Sequence, residues 1–112
     1  MTGIERIAQE RQRQIEKEGW SAQHDDKHDI GELATVAICY IEQAQYRGHC
    51  VWQDRLPGEW PLTWHHKWWK PEPRDAGPNP MIRDKDAVRM LEKAGALIAA
   101  EIDRLQRETG GS

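Results

Sequence analysis

Apolar residues recur along the chain at the spacing of helices rather than of strands. Near the start, four of them repeat at helical intervals: Ile4, Ile7, Ala8 and Ile15. Thr2 and Glu5 have the spacing of a capping box, which together with this repeat predicts a helix over about residues 2 to 18. Arg11 lies on the same stripe, so we expect its guanidinium to meet either an internal carboxylate or an anionic ligand.

Two further helices follow from the same kind of pattern. Asp29 and Glu32 have capping-box spacing before a wide apolar face, which predicts a helix over about residues 29 to 46. This face consists of Leu33, Val36, Ala37, Tyr40, Ile41 and Ala44. A third helix is predicted over about residues 84 to 108, with Asp84 as its cap. Its apolar stripe consists of Val88, Leu91, Ala94, Ile98, Ile102 and Leu105.

The stretch between the second and third helices, residues 49 to 83, has no helical or strand period. It contains all six prolines and five of the six tryptophans. Aromatic residues are scarce in disordered segments, so we expect this stretch to pack over the helices or against another copy. The predicted fold is a single all-α domain over residues 1–112, with three helices and a long Trp/Pro-rich irregular segment between helices 2 and 3.

Composition limits the classes of partner. The chain has 112 residues, 38% hydrophobic and 31% charged, so a monomer buries little surface and a homo-oligomer is expected. The net charge of -3 argues against nucleic acid as a partner. The charged start and short apolar runs predict a cytoplasmic protein with no membrane contact. The two cysteines have no zinc-finger spacing.

The stretch GWSAQHDDKHDIGEL, residues 19–33, concentrates histidines and carboxylates. Three interpretations stay open: a polar turn that leads into a helix, one wall of a ligand pocket, or a metal site. No cofactor is expected in the first two. In the third, imidazole and carboxylate groups would hold a divalent metal. The candidate metal ligands are His24, Asp25, His28 and Glu32.

The tryptophans suggest a surface on which a planar ring stacks, with basic residues between them to meet phosphates. The alternative is that these rings supply the core that the scarce aliphatic residues do not. No nucleophile motif or glycine-rich phosphate loop is present, which favours a binding protein over an enzyme. The candidate ligand-binding residues are Arg11, Trp20, His24, Asp25, Asp26, His28, Trp64, Lys67, Trp68, Trp69 and Lys70.

Four stretches together resemble a group of small proteins encoded by bacteriophages and prophages: ERQRQIEKEGW, HDDKHDIGELA, WHHKWWKP and MLEKAGALIAAEIDRL. The resemblance implies a phage-type protein that sequesters a nucleotide-derived immune signal and so counters host defence. Two alternatives remain, a metal-dependent nucleotide phosphohydrolase or pyrophosphohydrolase and a protein-binding inhibitor of a host factor. Gly19-Trp20, Asp25-Asp26 and His28 more loosely resemble the ryanodine-receptor repeat module, whose HP and PY pairs are absent here.

Overall fold

A computed structural model of the chain describes residues 1–45, 59–70, 72 and 82–110. These residues form four α-helices and one 3₁₀ turn, and no strand occurs among them, which confirms the all-α prediction. The elements are α1 (Gly3–Lys17), α2 (Ala22–Asp26), α3 (Glu32–Gln45), the 3₁₀ turn (His66–Trp68) and α4 (Asp84–Glu108). No helix within these ranges is long and apolar enough to cross a membrane. Much of the predicted irregular segment lies outside the described residues.

The ends of α1 and α4 show which side chains set the helix boundaries. The Thr2 hydroxyl accepts the Glu5 N–H at 3.2 Å, and the Glu5 carboxylate accepts the Thr2 N–H at 2.8 Å, so the predicted capping box is present. The prediction that Asp84 caps the last helix is wrong. Arg83 takes the cap position, and the Asp86 carboxylate accepts its N–H at 2.9 Å.

The stretch between α1 and α3 contains a short helix that the sequence pattern did not predict. Its cap is Ser21, whose hydroxyl accepts the His24 N–H at 3.2 Å. The next helix begins at Glu32 rather than near Asp29, after Gly31 with a φ of 86°. The predicted start at residue 29 is therefore wrong, because a left-handed glycine separates the acidic turn from α3.

The core lies where α4 packs against α3, with α1 and α2 adding smaller contacts to α4. Small and aromatic side chains dominate it. Trp20, Trp60 and Trp64 are buried, and Trp68 and Trp69 pack against them. Tryptophan rings therefore supply much of the core, in agreement with the core-filling alternative for these residues.

The large aliphatic side chains of α1 and α4 lie mostly outside. Most of the apolar stripe of α4 does not face the core. Ala94 is buried, but the other five stripe residues are between 42% and 51% exposed. In α1, Ile4 is 82% exposed, whereas Glu10 and Gln14 are buried. The helical period was correct for both helices, but the face that packs inward is not the most apolar one.

Candidate functional site

Five aromatic rings meet where α2 lies against the 3₁₀ turn, and we call them the ring cluster: Trp20, His24, His28, Trp64 and Trp68. Trp20 stacks on His24 with an angle of 11° between the rings. Trp64 meets all four of the others edge to face, with ring centroids 4.8 to 5.3 Å apart. The T-shaped geometry is one that aromatic pairs favour, so the rings hold one another in place.

Local turns in the backbone bring these rings together. Gly19, with a φ of 76°, reverses the chain after α1 so that the Trp20 N–H reaches the Gln14 carbonyl at 3.1 Å. His28 follows His24 by one helical turn, and its Nδ1–H donates to the His24 carbonyl at 2.9 Å. The two rings therefore lie side by side, with centroids 4.6 Å apart.

Behind the ring cluster lies a chain of charged groups. Asp25 is fully buried; its Oδ2 accepts from Arg11 at 3.3 Å and its Oδ1 accepts from His24 Nδ1–H at 2.9 Å. Arg11 also donates to the Trp20 carbonyl at 3.5 Å. Of the two partners expected for Arg11, the structure shows the internal carboxylate. Because Asp25 fixes the proton on Nδ1 of His24, the Nε2 atom of a neutral His24 ring is an acceptor.

Three nitrogens of the ring cluster are buried without a hydrogen-bond partner among the described residues: Trp20 Nε1, Trp64 Nε1 and His24 Nε2. An indole N–H is a donor and nothing else. A buried donor that bonds nothing costs about 1–3 kcal/mol, and two such donors in contacting rings are unusual in a folded protein. The ring cluster thus has hydrogen-bonding capacity that the described residues do not use.

One edge of the ring cluster reaches the surface. His28 and Trp68 are half-buried, and the Trp68 ring lies 6.0 Å from the exposed His65. Lys67 is exposed between them in sequence, and its backbone N–H donates to His65 Nδ1 at 3.0 Å. A ligand approaching the ring cluster would meet this edge first.

The remaining predicted ligand-binding residues make other contacts. The Lys70 ammonium bonds the Glu18 carboxylate at 3.0 Å, and Arg107 bonds Asp26 at 2.8 Å. Trp69 lies against Tyr40 and Trp60, with centroids 4.9 and 5.4 Å away. Of the eleven predicted positions, the structure brings together seven around the ring cluster: Arg11, Trp20, His24, Asp25, His28, Trp64 and Trp68.

The four alternative metal ligands are held in hydrogen bonds within the protein. Both Glu32 oxygens are used, since Oε1 accepts the Ile30 N–H at 2.9 Å and Oε2 accepts the Thr63 hydroxyl at 2.6 Å. Burial raises the pKa of Glu32, but these hydrogen bonds outweigh it and hold the pKa below its ordinary value. Within the described ranges, no three His, Cys, Asp or Glu side chains are arranged to hold a metal ion.

A buried polar network on α1 was not identified from the sequence. The Glu10 carboxylate accepts from Arg89 at 2.6 Å, from Arg13 at 2.8 Å and from Gln14 at 3.2 Å. Lys93 is also buried, and its ammonium donates to the Lys70 carbonyl at 2.7 Å. Glu10 and Gln14 are four residues apart, but two polar residues at that spacing are equally typical of a solvated helix face.

Comparisons with known proteins give no family for this chain. No family model matches it, and neither a curated protein nor a solved structure is significantly similar to it.

Proposed function

We propose that this chain is a non-enzymatic binding protein for a small planar ligand of the nucleotide type, held at the ring cluster. The observation that carries the proposal is the set of three buried, unpartnered nitrogens on contacting rings: Trp20 Nε1, Trp64 Nε1 and His24 Nε2. A ligand that accepts from the two indoles would relieve a cost that folding alone leaves in place.

The ring cluster has the chemistry for such a ligand. The half-buried edge at Trp68 and His28 is where a base would stack. The two indole N–H groups suit carbonyl or phosphate oxygens, and His24 Nε2 suits an amino group when the ring is neutral. Lys67 supplies a positive charge at the rim for a phosphate.

The proposed role is sequestration, in which the ligand is held and returned unchanged. It follows from the resemblance to small phage proteins and, by analogy, makes the ligand a nucleotide-derived immune signal. A hydrolase would need an activated nucleophile or a metal-bound water. Among the described residues, His24 and Asp25 have their facing atoms bonded to each other, and Asp25 is further held by Arg11.

The first experiment is native mass spectrometry of the protein purified from cells, with analysis of the small molecules released by heat. A bound nucleotide that is released intact would support sequestration. Release of a hydrolysed product, with turnover that stops on chelation, would instead favour the metal-dependent hydrolase. Protein that carries no ligand and binds none of a panel of linear and cyclic nucleotides by calorimetry would overturn the proposal.

Two variants locate the site with any nucleotide that binds in that panel. Trp64→Phe removes the indole N–H but keeps an aromatic ring, so we expect at least a tenfold weaker Kd with the fold retained. Leu62→Ala is the matched control, because Leu62 is two residues away and fully exposed. Equal affinities in the two variants would exclude the ring cluster as the site.

A further inference from the structure

Most isoleucine side chains of this protein lie at its surface. The chain has nine isoleucines, all within the described residues, and Ile82 is the one that is buried. Seven of the others are more than a third exposed. The core relies instead on tryptophan, alanine and a few larger aliphatic residues. The chain thus keeps outside the side chains that proteins most often bury.

Five of the exposed residues form a regular stripe on α4, which we call the outer stripe: Val88, Leu91, Ile98, Ile102 and Leu105. Their spacings are three, seven, four and three, which are those of the a and d positions of a heptad repeat. Gly95 occupies the one remaining position of that repeat, where Ile7 of α1 lies against the helix. All six positions are uncharged.

Several charged groups near the outer stripe are already paired within the chain. Arg104 donates to Glu101 at 2.7 Å and to Glu108 at 2.7 Å, and Arg89 bonds Glu92 at 3.2 Å. An acidic or basic partner would therefore find no free opposite charge at these positions. A partner with an uncharged apolar helix fits the surface better.

We infer that the outer stripe is the interface through which two copies of this chain form a two-fold symmetric dimer. Heptad-spaced helices pack against helices that carry the same repeat, and α4 of a second copy carries it by identity. A two-fold axis places the same face on both sides of the contact, so one stripe completes the interface. The inference does not depend on the proposed ligand.

The test measures the mass in solution of the wild type and of Ile98→Glu/Ile102→Glu by sedimentation velocity over a range of micromolar concentrations. We expect a wild-type dimer and a monomeric double variant with the same helical content by circular dichroism. Leu62→Glu is the control: it puts a glutamate on a fully exposed residue outside α4 and should remain dimeric. A monomeric wild type up to about 100 μM, or a dimer that survives the double substitution, would overturn the inference.

A second variant distinguishes loss of the dimer interface from loss of the fold. Leu105→Lys places its charge in the last turn of α4, where a cation is favourable to the helix. It is therefore expected to fold and to weaken the dimer at least tenfold. If Leu105→Lys folds and dimerises as tightly as the wild type, the outer stripe is not the interface.

Discussion

Asp25 is a fully buried carboxylate whose two oxygens have different partners. One accepts from Arg11 and the other from His24, so the residue links α1 to the ring cluster. Removing one partner of a buried ion pair leaves the other charge uncompensated, which costs more than the pair contributes. The neighbouring Asp26 bonds Arg107 at the surface, where such a pair contributes little. Two adjacent aspartates thus have very different energetic roles.

Asp25→Ala is expected to lower the free energy of unfolding by about 3 kcal/mol, because Arg11 is left without its carboxylate in a mostly buried position. Asp26→Ala, one residue away, should cost less than about 1 kcal/mol. Urea denaturation of both variants at pH 7 measures the difference. Equal losses would mean that removing Asp25 does not leave Arg11 as an uncompensated charge in the folded protein.

Cys39 is a fully buried residue of α3, and burial raises the pKa of its thiol to about 12. The thiolate is the form that reacts as a nucleophile with thiol reagents, so Cys39 should be inert in the folded protein at pH 8. The Cys50→Ser variant leaves Cys39 as the one thiol to be counted. We expect no labelling of this variant by a thiol reagent at pH 8 and one equivalent in denaturant. Rapid native labelling would contradict the burial of Cys39.

At the residue scale, the sequence identified most of the charged and aromatic groups but not their pairings. Arg11 was recognisable because it interrupts an apolar stripe, and its need for a partner followed from desolvation. That the partner is Asp25 depends on the reversal at Gly19 and the unpredicted helix α2. These are local backbone features, and the hydrophobic period of the sequence does not predict them.

At the scale of helices, α1 meets α4 through polar groups and one close apolar contact. Glu10 of α1 is held by Arg89 of α4, and Ile7 lies on Gly95. Burial raises the pKa of Glu10, but hydrogen bonds from Arg13 and Arg89 outweigh it and keep the pKa below its ordinary value. Helical periodicity does not predict this contact between α1 and α4, because the period is recognised from apolar positions and this face of α1 is polar.

Glu10→Gln tests the polar part of the contact between α1 and α4. Because the pKa of Glu10 is lower in the folded protein than in the unfolded chain, its ionised carboxylate stabilises the fold at pH values above the unfolded pKa of about 4.5. This contribution is lost as the pH falls through the folded pKa. We expect the variant to lose about 2 kcal/mol at pH 7 and to be closer to the wild type at pH 3. Glu16→Gln, on the exposed side of α1, is the control. A loss that is the same at both pH values would contradict this account.

Gly95→Ala tests the apolar part of the contact between α1 and α4. A Cβ at this position would lie 2.6 Å from Ile7 Cδ1 and 2.7 Å from its Cγ1, so the branched side chain must move. The overpacking should cost about 1–3 kcal/mol and exceed the gain of about 1 kcal/mol in helix propensity. In an Ile7→Ala background the clash is gone, so the same change should stabilise. A double-mutant cycle in urea measures the coupling, and additive effects would exclude the contact.

At the scale of the whole molecule, the sequence predicted the class and most helix ends, but the apolar stripe of α4 does not identify the face that packs inward. An apolar stripe has the same sequence pattern whether it packs against the core of its own chain or against another chain. In α4, Ala87, Ala94 and Leu97 face inward, and the larger Ile98 and Ile102 face outward. Alanine at the α3 contact permits close packing and leaves the bulky side chains for a second surface. Hydrophobicity alone ranks these two faces in the wrong order.

If the outer stripe pairs two copies, the thermal stability of the chain depends on its concentration. Folding linked to dimerisation gains about 0.7 kcal/mol per chain for each tenfold rise in concentration, which raises the Tm by about 3 °C for a domain of this size. Differential scanning calorimetry from about 5 to 500 μM measures this slope. Ile98→Glu/Ile102→Glu should melt at a Tm that does not depend on concentration, because a monomer has no such linkage. Equal slopes in wild type and variant would place association elsewhere on the molecule, while a flat wild type would argue for a monomer whose apolar face serves a different partner.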